Sequence, residues 1–510
     1  MSTEKELSVI RFKRDGVCDV NAEVTLEDYK TEIKRILCCK ETLSAPSKYT
    51  SKSGIELEGN VRYRLLYVGT DNRLYSTEHS EEYEISCSAD GDGKGDNIRD
   101  LTAVWSDGVS VRLLSPRKFS LKNKICSRSA INCSPEKEEC VTERFIPTEC
   151  ESLTSRITTA DTVSIGGDII ELCDEYIPRS DTERVIFSDC SIFISDVHAD
   201  DGRITARGEL VAEILACDEE GFEMPHTVRR KIPFTQETEH PDVRKGCRIN
   251  ALGTCTELKV TPEDSRVLIN AYCSLEYTVA CMSEERVCTD AFSPERTLKL
   301  TEGKLRFFGS VSPQNGNLSI STSIPLSELG IAPSRMALTA CGTAYVTDFT
   351  VNSESGKGAI LGECKFSAVF LDDTSDIPEY EAKDISVPFR YEFPFDTCGA
   401  PALYCHSPSL SRISLRSDGE KAALDCELSL SFIAVCENEI SVISDITQGD
   451  ARVTDESCIR ILYPQKGETL WSLAKSTSTK VKRMCEINGL SLEGQTSMTQ
   501  SLENCKFIII

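Results

Sequence analysis

The sequence predicts a mainly β protein in which three tandem β-rich domains precede a small α+β domain. Three features support this fold class. One glycine-containing segment recurs three times, period-2 alternation of apolar and polar residues dominates the first 450 positions, and the pattern changes near residue 459. At 510 residues the chain has room for three or four domains of the usual ~100–200 residues. Its 40 % hydrophobic and 27 % charged residues are typical of a globular protein.

The recurring segment is a pair of glycines followed by an alternating apolar stretch. Its copies read GIELEG-NVRYRLLYV, GRITARG-ELVAEILAC and GKGAILG-ECKFSAVFL, and the second glycine of each pair is Gly59, Gly208 or Gly362. These glycines are 149 and 154 residues apart, whereas a solenoid repeats every ~20–50 residues. We therefore expect a tandem array of whole domains, each with a strand that follows a turn or bulge permitted by the glycines.

Domain boundaries follow from the repeat and from two connectors of similar sequence. The connectors that begin at Cys140 and Cys288 are 148 residues apart and mark the ends of the first two units. We place an N-terminal segment at 1–24, repeat domains at 25–148, 149–298 and 299–450, and a C-terminal domain at 451–510. Cys133, Cys281 and Cys436 recur on apparent strand ends, so we expect these thiols to pack as small apolar side chains.

Charge and cysteine usage exclude several classes of protein. The net charge of −25 excludes a generally basic nucleic-acid-binding surface. No run approaches 18 apolar residues, so no membrane span is predicted, and the N-terminal MSTEKELSVIRFKRDG has charges where a secretory signal has its apolar core. The 25 cysteines include no C-x-x-C motif. We expect them to be mostly reduced and buried in a cytosolic protein.

Motifs for catalysis or metal binding are not found in the sequence. The run from Asp90 to Asp96 begins like a calcium loop, but Lys94 and Leu101 occupy ligand positions 5 and 12. The five histidines lack metal-ligand spacing, and there is no phosphate loop, nucleophile elbow or H-E-x-x-H pair. We therefore predict a protein that is not an enzyme, with no catalytic residues, no cofactor and no metal.

The last 50 residues have a different pattern, which predicts a β-α-α-β unit. Ile459, Ile461 and Tyr463 alternate as in a short strand, and Thr469 can cap a helix that follows. A second short helix ends at Asn488-Gly489. The apolar residues 507–510 can then pair with the first strand.

This unit resembles the LysM domain. The resemblance rests on Tyr463, on the segment 467–474 (GETLWSLA) and on the segment 487–490 (INGL). It implies a shallow groove for N-acetylglucosamine polymers between the loop at 467–470 and the loop before the last strand. The usual Pro-Gly-Gln of the second loop is replaced here by Ser501-Leu-Glu-Asn, a departure from the glycan-binding pattern.

The predicted binding face of this domain serves either a protein partner or a glycan. It comprises Gly467, Glu468, Thr469, Leu470, Trp471, Lys475, Asn488 and Gly489. Trp471 is either the anchor of an interface or a core residue of a very small domain. Residues 459–510 carry seven basic and four acidic side chains, which gives a net charge of +3 against −28 for the rest of the chain. A basic C-terminal domain on an otherwise acidic chain favours an acidic protein partner.

The tandem units resemble the SPOCS repeats of spore-coat-associated proteins, and SPOCS repeats followed by one LysM domain resemble clostridial spore morphogenetic proteins. The resemblance implies a non-enzymatic adaptor or scaffold in the mother-cell cytoplasm, at the forespore and coat surface. Its LysM domain would bind the coat-basement morphogenetic ATPase and help encase the forespore, while the repeats would contact other coat proteins. The alternative is a LysM protein that binds peptidoglycan.

Overall fold

The computed structural model describes residues 8–510 except for a set of short segments. These segments are 52, 89–95, 135–145, 148, 168, 181–182, 219–223, 264, 373, 375–377, 397–398, 407, 453–458, 492–497, 500 and 503–504. Strands dominate the described chain, and the two helices found in it are short, which confirms the prediction of a mainly β protein. The calcium-like run from Asp90 and the connector from Cys140 fall largely outside the described residues.

The first unit, residues 9–134, forms two antiparallel sheets. Its strands are β1 (Val9–Thr25), β2 (Ile33–Leu43), β3 (Ser47–Ser51), β4 (Gly54–Gly69), β5 (Leu74–Ser88), β6 (Asp96–Ser115) and β7 (Lys118–Ser134). One sheet has the order β1-β7-β6, and in the other β4 pairs with β2, β3 and β5. The expected boundary at residue 24 differs from this arrangement, because β1 pairs along its whole length with β7 and so belongs to the first unit.

The second unit, residues 151–292, also forms two sheets. Its strands are β8 (Glu151–Ile165), β9 (Ile169–Tyr176), β10 (Glu183–Asp200), β11 (Arg203–Asp218), β12 (His226–Glu239), β13 (Arg248–Glu263) and β14 (Arg266–Phe292). One sheet has the order β10-β11-β12 and the other the order β13-β14-β8, with β9 also paired to β14.

The third unit, residues 296–451, repeats this plan. Its strands are β15 (Arg296–Pro325), β16 (Met336–Asn352), β17 (Lys357–Asp372), β18 (Glu379–Pro394), β19 (Ala400–Cys405), β20 (Ser409–Ser417) and β21 (Lys421–Ala451). The sheets have the orders β16-β17-β18 and β15-β21-β19, with β20 also paired to β21. In each unit the two sheets share one hydrophobic core.

The repeated glycines have two different roles. The first glycine of the pair supplies a positive φ at the turn before the strand in the second and third units, at Gly202 (φ 80°) and Gly356 (φ 63°). The second glycine lies inside the strand, where an aromatic ring of the next strand covers it. At Gly208 a Cβ atom would lie 2.8 Å from the Phe234 ring and 2.1 Å from the Phe193 carbonyl oxygen, so a side chain does not fit. Sequence reasoning had assigned both glycines to a turn or bulge.

The three units meet at several apolar clusters, and one of them is here called the central cluster. Leu66, Leu215 and Val369 each lie seven residues after the matching glycine of their unit, and all three are buried in this cluster. The residues nine positions after those glycines belong to it as well; they are Val68, Cys217 and Leu371. Equivalent positions of the three units therefore face one another, and the units pack around a common centre.

The C-terminal module, residues 459–510, has the element order that the sequence predicts. It contains β22 (Ile461–Leu462), α1 (Leu470–Thr477), α2 (Val481–Asn488) and β23 (Ile508–Ile509). The two strands pair antiparallel, with Ile461 opposite Ile509. Neither helix of the described chain is long and apolar enough to cross a membrane.

The cysteines follow the expectation of burial, with one correction. Most of the described free thiols are buried or half-buried, and Cys173 is exposed. Cys247 and Cys281 form a disulfide, so the expectation that Cys281 packs as a free thiol is wrong. The antiparallel register of β13 and β14, which places Arg248 opposite Ala280, brings the two cysteines face to face. No local spacing in the sequence signals this pairing.

Thiol labelling tests this assignment of the cysteines. Burial raises the pKa of the Cys364 and Cys405 thiols to about 12, so little thiolate is present at neutral pH. We expect a maleimide to modify Cys173 first in the native protein and Cys364 and Cys405 only after denaturation. Mass spectrometry of the peptides containing Cys247 and Cys281 should show modification only after reduction. Equal labelling rates for Cys173 and Cys364 would contradict the assignment.

Candidate functional site

The candidate site is the surface of the C-terminal module, whose helices are fixed by local contacts. Thr469 begins α1, with the Ser472 backbone N–H donating to Thr469 Oγ1 (3.1 Å) and the Thr469 N–H donating to Ser472 Oγ (2.9 Å). Gly489 ends α2 with φ 63°, a conformation that glycine adopts without strain. Short polar side chains and one glycine thus set the helix ends.

Asn488 ties the second helix to the last strand. Its amide nitrogen donates to the carbonyl oxygens of Met484 (2.8 Å) and Ile509 (2.7 Å), and its amide oxygen accepts from the Ile509 N–H (2.7 Å). Asn488 and Gly489 therefore maintain the fold of the module. Of the residues assigned to the binding face, these two, the capping residue Thr469 and the buried Leu470 have structural roles.

The two loops expected to border a groove lie side by side. Thr469 forms a β-bridge with Ser501, and the Leu502 N–H donates to the Glu468 carbonyl oxygen (2.9 Å). Gly467 is exposed at the tip of the first loop with φ 86°. The Glu468 carboxylate accepts from the Gln465 N–H (2.7 Å), which stabilises the turn before α1.

Trp471 and Lys475 contact the second unit of the same chain. Trp471 is only 5 % exposed, its Nε1–H donates to Asp290 Oδ2 (2.8 Å), and its ring packs edge-on against Phe292 with centroids 5.1 Å apart. Lys475 Nζ donates to Asp290 Oδ1 (2.6 Å). Trp471 is therefore part of the buried cluster of the module, and it also joins the module to β14.

Sequence reasoning missed an exposed apolar face on the other side of the module. Ile459 is 83 % and Tyr463 70 % exposed, and Ile461 and Phe507 are exposed with them. We call these four residues the apolar face. The signal was present, because Ile459, Ile461 and Tyr463 alternate in the sequence, while Leu462 between them packs against the buried cluster of the module.

Basic residues are neighbours of the apolar face in the sequence. Arg460, Lys466 and Lys506 are exposed, and among the described residues none of them has an ion-pair partner within 4.0 Å. An apolar surface with basic residues beside it is typical of a protein-binding site for a partner that is itself apolar and acidic.

A second candidate is a cavity of about 160 Å³ where the three units meet. Its lining includes Glu41 and Lys48 of the first unit, Glu276 of the second and His406 of the third. Burial is the main cause that raises the pKa of Glu41 to about 7, against the opposing effect of hydrogen bonds from Ser106, Asn123 and Tyr345. Within the described residues, no group of His, Cys, Asp or Glu side chains is arranged to hold a metal ion.

Comparison with known families adds one match. A family model described as SipL, SPOCS domain, matches residues 181–273, which run from the start of β10 into β14 of the second unit. No curated protein and no solved structure matches the chain. The match supports a relationship to the SipL-like family and covers the region in which the repeat of the second unit was recognised.

Glu41 makes the stability of the protein depend on pH. Its pKa is about 7 in the folded protein and near the ordinary 4.5 in the unfolded chain, so the folded state holds this proton more tightly. As pH rises from 4.5 to 7, the unfolded chain ionises first and the free energy of unfolding falls by about 3 kcal/mol in total. Below pH 4.5 Glu41 is protonated in both the folded and the unfolded protein. Above pH 7 it is ionised in both, and the free energy of unfolding falls no further on its account.

Urea unfolding of the wild type and of Glu41→Gln between pH 4 and pH 8 measures this effect. The glutamine variant cannot ionise at this position, so we expect the stability of the wild type relative to the variant to fall between pH 4.5 and pH 7. If the stabilities of the wild type and the variant change in parallel over this interval, the pKa of Glu41 is not raised in the folded protein.

Proposed function

We propose that this protein is a non-enzymatic adaptor in endospore formation, in which the three units form a scaffold and the C-terminal module binds a protein partner. The match to the SPOCS domain of SipL indicates a role in sporulation. The resemblance of the module to LysM domains makes the coat-basement morphogenetic ATPase the proposed partner, at the forespore surface in the mother-cell cytoplasm. Other coat proteins are proposed to contact the three units.

The observation that carries this proposal is the apolar face. Leaving Ile459 and Tyr463 in water forgoes about 1.5–3 kcal/mol for each side chain, relative to full burial. Exposed apolar clusters of this kind mark interaction sites, and a central aromatic side chain often contributes ~2 kcal/mol or more to binding. Trp471 and Lys475 of α1 contact Asp290, whereas the residues of the apolar face are exposed and accessible to a partner.

Charge supports a protein partner over other ligands. The module has a net charge of +3, whereas the rest of the chain has a net charge of −28. The rest of the chain would repel an acidic partner, whereas the C-terminal module would attract it. This difference would direct the encounter to the apolar face. A scaffold role also fits the three tandem units, since several weak contacts on one body give avidity.

The binding test compares two isoleucines with the same exposure. Ile459 and Ile177 are both 83 % exposed, but Ile177 follows β9 in the second unit, far along the chain from the module. We expect Ile459→Glu to weaken binding of the purified ATPase at least ~30-fold, which corresponds to ~2 kcal/mol, and Ile177→Glu to leave it unchanged. Both variants should melt at the temperature of the wild type. Equal binding by Ile459→Glu and wild type in biolayer interferometry would exclude the apolar face.

Peptidoglycan binding is the second candidate function, and one observation favours it. The Thr469–Ser501 bridge brings together the two loops that border the glycan groove of LysM domains. Sedimentation of the full chain with purified peptidoglycan tests this alternative. The glycan groove would be supported over the protein-binding face if the Ile459→Glu variant still sediments with peptidoglycan at physiological salt and the Gly467→Trp variant does not.

A further inference from the structure

The contact between the C-terminal module and the second unit depends on one carboxylate. Asp290 follows a β-bulge in β14, where the register with β8 shifts between Cys288 and Asp290. Thr289 Oγ1 donates to the Leu153 carbonyl oxygen (3.1 Å) and fixes this bulge. The two oxygens of Asp290 then accept separately from Trp471 and Lys475, which lie four residues apart and so share one side of α1.

The third unit contains an equivalent bulge that lacks this contact. The register of β21 with β15 also shifts there, and Ser444 Oγ donates to the Thr301 carbonyl oxygen (3.1 Å), as Thr289 does in the second unit. Asp445 occupies the position of Asp290, but its carboxylate accepts from Thr447 Oγ1 (2.8 Å). Thr447 stands where the second unit has Phe292. The third unit therefore has the carboxylate but lacks the aromatic ring.

We infer that Asp290 and Phe292 form a docking site on the second unit for a helix face that presents a tryptophan and a lysine four residues apart, and that the C-terminal module of the same chain occupies it. The aromatic ring and the carboxylate are both needed. Phe292 packs against the Trp471 ring, while Asp290 accepts from its indole nitrogen and neutralises the lysine. The difference at Thr447 directs the module to the second unit.

The docked state conceals Trp471 and part of Lys475 from any other molecule. A partner that recognises Trp471 can bind only after the module leaves Asp290, so the contact acts as a latch. Within the described residues, the contacts of the latch include the Asp290 pair, the Phe292 ring and Leu153.

The latch can be tested without any partner, so the result does not depend on the proposed function. Trp105 is the second tryptophan of the chain, and Trp105→Phe leaves Trp471 as the single tryptophan, which can be excited selectively at a wavelength that tyrosine does not absorb. We expect Asp290→Ala to raise acrylamide quenching of Trp471 several-fold and Asp290→Asn to raise it less, since asparagine still offers an acceptor to the indole N–H. Asp445→Ala is the matched control and should quench like the parent protein.

Two further measurements keep the result unambiguous. Lys475→Ala removes the ion pair from the module side, at an exposed position, and should raise quenching without changing the circular dichroism of the protein. Quenching should also be independent of protein concentration, as an intramolecular contact requires. Unchanged quenching in both Asp290→Ala and Lys475→Ala, an equal rise in Asp445→Ala, or a rise on dilution of the wild type would each overturn the inference.

Discussion

Burial of apolar side chains between the three units, as in the central cluster, is the interaction on which the arrangement of the whole molecule depends. Leu66, Leu215 and Val369 come from equivalent positions of three homologous strands and are buried against one another. In an isolated unit these side chains would face water, because each unit already has its own core between its two sheets. Mutual burial of the three outer faces is therefore what converts a string of domains into one body.

Polar contacts around the central cluster fix which unit touches which. Lys40 of the first unit pairs with Asp189 of the second, and Arg412 of the third pairs with Glu209 of the second. Arg128 of the first unit donates to the Leu403 carbonyl oxygen of the third (3.1 Å). Such half-buried contacts add little net stability, but a wrong neighbour would leave their charges unpaired. They therefore select one order of units around the centre.

Much of the fold could be predicted from the sequence, because its main signal is local. The glycine pairs and the alternation after them predict β4, β11 and β17, and the C-terminal pattern predicts the β-α-α-β order. The pairing of β1 with β7 could not be predicted, since it joins residues that are 93 positions apart at Thr25–Lys118 and 124 positions apart at Val9–Cys133. The alternation that marks a strand also does not tell which of its two faces packs on another unit.

The site could be predicted only in part for the same reason. The capping role of Thr469 is local and was recognised, whereas the contact of Trp471 with Asp290 spans 181 positions. From the sequence alone, a tryptophan in a small domain can belong either to the core or to an interface. The residue that shows its contact, Asp290, lies on another unit. The apolar face was visible in the alternation of Ile459, Ile461 and Tyr463, but its exposure follows from the number of layers in the module.

Unfolding of the variant Leu215→Ala, followed separately in each unit, tests the central claim most directly. Cys87, Cys273 and Cys364 are buried thiols of the first, second and third units, so pulse labelling at increasing urea reports the unfolding of each. Leu215 is 3 % exposed, and its truncation should cost ~2–5 kcal/mol. If the units form one body, all three thiols become reactive at one midpoint, and the variant lowers that midpoint equally for all three. A shift confined to Cys273, with Cys87 and Cys364 unchanged, would show that the units fold independently.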